Sequence, residues 1–178
     1  SIHGFMQADA VAILGNLTQG SEFPVEQTQS GAWLSQIDIL KSVLGHRIGA
    51  IYFEYSIPRM GERIDVVLLI GAVVFVLEFK VGEKEFASHA VDQVCDYALD
   101  LKNFHEPSHN CCIAPVLVAT KATRSDLTVA VTPQNDNLLY PIKCSSETLR
   151  AAIDAVLTFA DGNNIDQIAW ESGRYCPT

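Results

Sequence analysis

The sequence predicts an α/β domain in which helices flank one mixed central sheet. Two observations carry this. Apolar, β-branched-rich runs cluster between residues 50 and 80 and recur at Ile113–Thr120. Around them lie segments whose apolar residues recur at helical spacing, most clearly 87–104.

Taken in order, Ala10, Ile13, Leu14 and Leu17 form a short helical stripe over 6–17. Residues 18–30 are polar with Gly and Pro and read as a loop. Ser30 can cap a helix carrying Trp33, Ile37, Leu40 and Leu44, ended by Gly45. Three strands are expected at Ala50–Ser56, Asp65–Ile70 and Val73–Lys80. The helix over 87–104 places Ala87, Ala90, Val91, Val94, Ala98 and Leu101 on one stripe. A loop over 105–111 leads into the buried strand Ile113–Thr120. A weaker strand is expected at Thr128–Thr132. Ser145 or Ser146 then caps a helix to about Phe159, with Leu149, Ile153, Val156 and Leu157 inward.

The length of 178 residues suits a single domain, 1–178, with a core over about 30–160 and a C-terminal segment over 161–178. Apolar residues make up 48% and charged residues 19%, which is globular and not disordered composition. The formal charge is −9, so a large basic surface for non-specific nucleic-acid binding is not expected. Basic residues near a possible site are Arg59, Arg63, Lys80, Lys84 and Lys102, and weak, salt-sensitive DNA binding is expected of them. Five cysteines without a CxxC argue for a reducing compartment. The most apolar run, Val66 to Leu77, is too short to span a bilayer, so a cytoplasmic protein is expected.

The segment RIDVVLLIGAVVFVLEFK is the most informative. Gly71-Ala72 suits a two-residue hairpin turn, which would pair Ile70 with Val73, Leu68 with Phe75 and Val66 with Leu77. The same register sets Asp65 opposite Glu78, with Lys80 on the same face. Two facing carboxylates repel unless a divalent cation compensates, and Mg²⁺ or Mn²⁺ beside a lysine suits phosphate chemistry. A solvated Glu78–Lys80 pair at a strand end is the plainer alternative.

Asp65, followed after 12 residues by Glu78-Phe79-Lys80, resembles the D…(D/E)xK signature of the PD-(D/E)XK nuclease superfamily. Gln93-Val-Cys-Asp-Tyr97 is similar to the QxxxY helix motif of its RecB-type members, and Glu54 to the extra acid of the preceding strand. The stretch from Phe53 to His105 also resembles the nuclease-like domain of Schlafen-like bacterial proteins, which precedes a P-loop helicase/ATPase. Trp170, Gly173, Tyr175, Pro177 and Thr178 look like the start of the segment leading into that ATPase. The chain has no GxxxxGK[ST] of its own.

The resemblance implies a restriction-endonuclease-like core and Mg²⁺-dependent hydrolysis of phosphodiester bonds in nucleic acid, expected to be DNA. It implies a metal held by Asp65, Glu78 and the Phe79 carbonyl, with Lys80 orienting or deprotonating the attacking water and steadying the scissile phosphate. Glu54 would hold a second metal or its water. Gln93 would fix Lys80 or substrate, and Tyr97 would pack or bond beside it. It also implies a C-terminal P-loop ATPase/helicase partner. One departure is that Gln36 stands in the first core helix where many members carry Glu. The alternative is a non-catalytic docking or nucleic-acid-sensing module of a larger ATPase. His105, near Tyr97 along the helix direction, and His89 are expected at the surface or groove; H-x₃-H-x-C-C over 105–112 matches no standard zinc site. Trp33 reads as core.

Overall fold

The structure is a computed structural model and describes residues 1–21, 26–58 and 61–176. Arg59, Pro177 and Thr178, named above, lie outside the described residues.

The expected first helix is two. Helix α1 spans Ile2–Gln7 and α2 spans Ala10–Gln19. Asp9 is extended, and its carboxylate accepts from Val11 N–H, so it caps a new helix instead of continuing the old one. Lys41 closes the end of α1 by donating to the carbonyls of Phe5, Met6 and Ala8 at 2.6–3.3 Å. Helix α3, Gln27–Leu44, starts before Ser30, which lies inside it; Glu26 is the cap residue, without a side-chain bond. Gly45 ends α3 at φ 52°, as expected of a glycine there.

The sheet has five strands in sequence order: β1 (Ala50–Ile57), β2 (Glu62–Ile70), β3 (Val73–Lys80), β4 (Cys112–Ala119) and β5 (Ile142–Cys144). β1, β2 and β3 pair antiparallel, and β3, β4 and β5 pair parallel. Helix α4, Ser88–Phe104, makes the crossover that a parallel β3–β4 pair needs. The expected strand Thr128–Thr132 is not a ladder. Its bridges, Asp126 to Lys143 and Val131 to Leu139, differ in register by one residue, and Pro141 lacks a donor between them. The fifth strand is instead Ile142–Cys144, too short to carry a period.

Helix α5 spans Leu149–Phe159. It is preceded by a reciprocal pair in which Ser145 N–H donates to Thr148 Oγ1 and Thr148 N–H to Ser145 Oγ. Helix α6 spans Gln167–Glu171. One face of the sheet packs on α1, α3 and α5, through Phe5, Ile37, Leu40, Ala152 and Ile153. The other packs on α4 and α6, through Ala90, Val94, Leu101 and Trp170. The core therefore extends past 30–160 at both ends, since Ile2, Phe5 and Trp170 are buried. Among the described residues no helix is long and apolar enough to cross a membrane.

Candidate active site

The hairpin has the expected register from Ile70↔Val73 to Val66↔Leu77. There the ladder stops. Asp65 does not sit as the next cross-strand pair; its Oδ2 accepts from Phe79 N–H at 2.8 Å and so takes the place of a backbone acceptor. The expectation of two simply opposed carboxylates is corrected accordingly: the strands part at this point because a side chain has replaced the ladder.

The cause lies in β1 and β2 together. In β1, Ile51 and Phe53 pack on the α3 side, but Tyr55 and Ile57 on the α4 side. In β2, Val66, Leu68 and Ile70 pack on the α3 side, but Ile64 on the α4 side. Both strands exchange faces at the same level, at Glu54 and Asp65. The pairs Phe53↔Val66 and Tyr55↔Ile64 flank that level, and Glu54 has φ 49°. A left-handed conformation at a non-glycine residue costs on the order of 1–3 kcal/mol and is concentrated at functional sites in proteins generally.

The cleft at this end of the sheet has a volume of about 370 Å³. Gln29, Trp33 and Gln36 of α3 line one wall, and Glu54, Asp65, Glu78, Phe79 and Lys80 the other. Lys80 Nζ donates to Glu78 Oε1 at 2.8 Å and to Gln93 Oε1 at 3.0 Å. Gln93 Nε2 in turn donates to the Tyr97 hydroxyl at 2.7 Å. The i, i+4 spacing of Gln93 and Tyr97 on α4 makes this line of bonds possible. Trp33 Nε1 donates to Glu54 Oε1 at 2.9 Å, and Arg63 Nη1 lies 3.4 Å from Glu54 Oε2.

Burial, followed by the charge of Glu78, pushes the Asp65 carboxyl above its usual range. Burial also raises Glu78, against the opposing pull of Lys80. Tyr97 is raised by burial too and so stays a neutral hydroxyl. Glu78 is only 4% exposed, and its second oxygen, Oε2, is buried without a partner. Gln36 Oε1, on the facing wall, is in the same state. Among the described residues no group of three or more His, Cys, Asp or Glu side chains is arranged to hold a metal ion.

Thus Glu54, Asp65, Glu78, Phe79, Lys80, Gln93 and Tyr97 are brought together. Two other residues are placed differently from expectation. His105 is buried, with Nδ1 2.7 Å from Ser108 Oγ and its ring against Trp170 and Tyr175, so it is neither at the surface nor in the cleft. Lys102 is buried and donates to the Cys111 carbonyl, so it offers no charge to a polyanion. Trp33 is buried as expected of core, yet its one polar atom serves Glu54. The i, i+3 spacing of Trp33 and Gln36 on a helix preceding the strands was the available signal.

No protein-family model, curated protein or solved structure matches the chain.

Proposed function

We propose that this domain is a metal-dependent nuclease with a restriction-endonuclease-like core, hydrolysing phosphodiester bonds of DNA. The observation that carries the reading is the bonded line Tyr97–Gln93–Lys80–Glu78, which ends on a buried, partnerless carboxylate oxygen next to Asp65. A buried acceptor without a donor costs about 1–3 kcal/mol, and a cation at Glu78 Oε2 removes that cost.

The donors available there are carboxylate oxygens of Asp65 and Glu78 and the Phe79 carbonyl. They are hard oxygens, few in number and open to a cleft, which fits Mg²⁺ or Mn²⁺ retaining several waters. Such an ion, when bound, supplies charge stabilisation for in-line water attack. The remaining work belongs to the chain. Lys80 has three N–H donors, two of them committed to Glu78 and Gln93. The third is left for a phosphate oxygen or the attacking water. With both bonds kept, Lys80 orients the water or phosphate through that remaining N–H. Gln93, fixed by Tyr97, holds it in place. Glu54 is anchored by Trp33 and orients water at the far side.

A P-loop ATPase/helicase domain in the same polypeptide is part of this proposal as the partner. The test is cleavage of end-labelled DNA with Mg²⁺ or Mn²⁺. Cleavage should require the metal and Lys80, and metal-dependent cleavage at full rate by Lys80→Ala would sink the reading. The neutral Gln36 on the cleft wall favours the second reading, a nucleic-acid-sensing module, which DNA binding without cleavage would support.

A further inference from the structure

We infer that Arg63 is a contact for the substrate's phosphate backbone, held by Glu54 in the free protein and transferred to a phosphate on binding. The inference rests on the nuclease reading and names how a polyanion is admitted to a cleft lined by acids.

The difficulty for such a substrate is plain. Glu54, Asp65 and Glu78 all line the cleft, and Lys80 is already bonded to Glu78 and Gln93. The chain as a whole carries −9. Several other cations are spent on the fold: Lys41 on the carbonyls of α1, Arg47 on Asp154, and Lys102 in the core. Arg63 differs from these. It lies on β2 two residues before Asp65, and its side chain is 42% exposed. Its contact with Glu54 is 3.4 Å, long for a charge-assisted hydrogen bond. A planar guanidinium with several donors matches a phosphate better than one distant carboxylate oxygen.

The anchoring of Glu54 makes the transfer one-sided. Its Oε1 is fixed by the buried Trp33 indole at 2.9 Å, and its backbone is set at φ 49°. Glu54 therefore stays when Arg63 leaves, and Oε2 is released toward the cleft. Binding of the phosphate backbone and freeing of this oxygen become one event. Arg63 thus covers Glu54 Oε2 in the free protein and contacts the substrate in the complex.

The test is fluorescence anisotropy with a short DNA duplex in Ca²⁺ at several salt concentrations, using the full chain. Arg63→Ala should weaken binding roughly five- to tenfold at 0.1 M salt and flatten the log K against log salt slope by about 0.9, the share of one phosphate. Arg63→Lys should keep most of that slope. Glu54→Gln should tighten binding by up to about fivefold, the worth of an exposed pair, and do so more strongly with Arg63 present than in Arg63→Ala. Equal salt slopes in wild type and Arg63→Ala overturn the contact. An equal effect of Glu54→Gln in both backgrounds overturns the transfer. Failure of the wild type to bind DNA at any salt overturns this inference and the nuclease reading together, whereas binding with equal slopes leaves the nuclease reading standing. Circular dichroism of each variant identifies any loss of fold.

Discussion

Two clusters of buried polar side chains differ in one respect: one, around Trp170, packs on the α4 side of the sheet, and the other, acidic, lies in the cleft walled by α3. Around Trp170, the named polar atoms have partners within the chain. Trp170 Nε1 donates to Ser108 Oγ at 2.9 Å, His105 Nδ1 meets the same hydroxyl, and the hydroxyls of Tyr55 and Tyr175 meet at 2.7 Å. At the other end, the Glu54–Asp65–Glu78 cluster holds a left-handed residue, mutually repelling acids and two orphaned oxygens. His109 Nε2 and Thr132 Oγ1 are the other such buried side-chain atoms among the described residues, and neither lies in a cluster of acids. The difference teaches that burial of polar groups alone does not mark a site. A cluster satisfied within itself holds the fold together; one left unsatisfied calls for a ligand.

The largest expected effect breaks the satisfied cluster. Trp170→Ala should cost about 3–5 kcal/mol, the range for deleting a buried aromatic side chain. It removes the packing of Tyr52, Tyr55 and His105 and leaves Ser108 short of a donor. Urea denaturation measures it. A loss below about 1 kcal/mol would mean that the C-terminal segment is an appendage and not part of the core.

In the unsatisfied cluster, function should suffer more than the fold. Lys80→Ala should slow cleavage by at least about a hundredfold, the scale for removing one aligned donor to transition-state charge. The melting temperature should fall less than in Trp170→Ala, because the substitution takes a donor from Glu78 Oε1 but removes no core packing. A large fall in melting temperature would instead make Lys80 a structural residue and erase the contrast between the clusters.

This contrast explains what could be read from the sequence. The hairpin register and α4 follow from local patterns, a Gly-Ala turn, alternation and helical spacing, whereas the meeting of Lys80 with Gln93 and Tyr97 is what the family resemblance implies. The face exchange follows from neither. Ile51, Phe53, Tyr55 and Ile57 alternate perfectly, as do Ile64, Val66, Leu68 and Ile70, so a period of two places each set on one face. Only the three-dimensional backbone turn at Glu54 divides them. Equally hidden were Trp170 and His105, whose partners are distant in sequence, and β5, whose three residues carry no pattern. The split of α1 from α2 was written in Asp9, but a single capping residue inside a weak stripe is a faint signal.

Acid should expose the satisfied cluster next. Burial lowers His105 to about 4, below the ordinary histidine value. A group depressed in the fold contributes stability that is present above its unfolded value and lost as pH falls through the folded one. Wild-type stability should thus decline between about pH 6.5 and 4, by up to about 3 kcal/mol in full. In His105→Gln, which keeps a polar group for Ser108, that part of the slope should vanish. A slope unchanged by the substitution would assign the acid sensitivity to other groups.

The smallest effect has the opposite sign and probes the acids directly. Asp65 and Glu78 are raised in the fold, by burial first. Such groups contribute stability that is present below the unfolded carboxylate value and lost as pH rises through the raised one. In metal-free buffer at pH 8 the charged cluster should therefore be a net cost. Asp65→Asn removes one of the charges, yet its amide oxygen can still accept from Phe79 N–H, so the bond that replaces the ladder survives. A gain of ~0.2–1 kcal/mol is expected, the scale of a like-charge cross-strand contact. The gain should shrink as pH is lowered from the raised value, where folded wild-type Asp65 takes up its own proton, toward the ordinary carboxylate range. Saturating Mn²⁺ should reverse the order, because the ion stabilises only the chain that retains both carboxylates. Urea denaturation of both proteins, with EDTA and with Mn²⁺ at two pH values, decides the matter. A loss of stability in Asp65→Asn without metal would mean that the carboxylate's bond to Phe79 outweighs its repulsion. Asp65 would then belong with the satisfied cluster, and the distinction between the two regions would fail at its central residue.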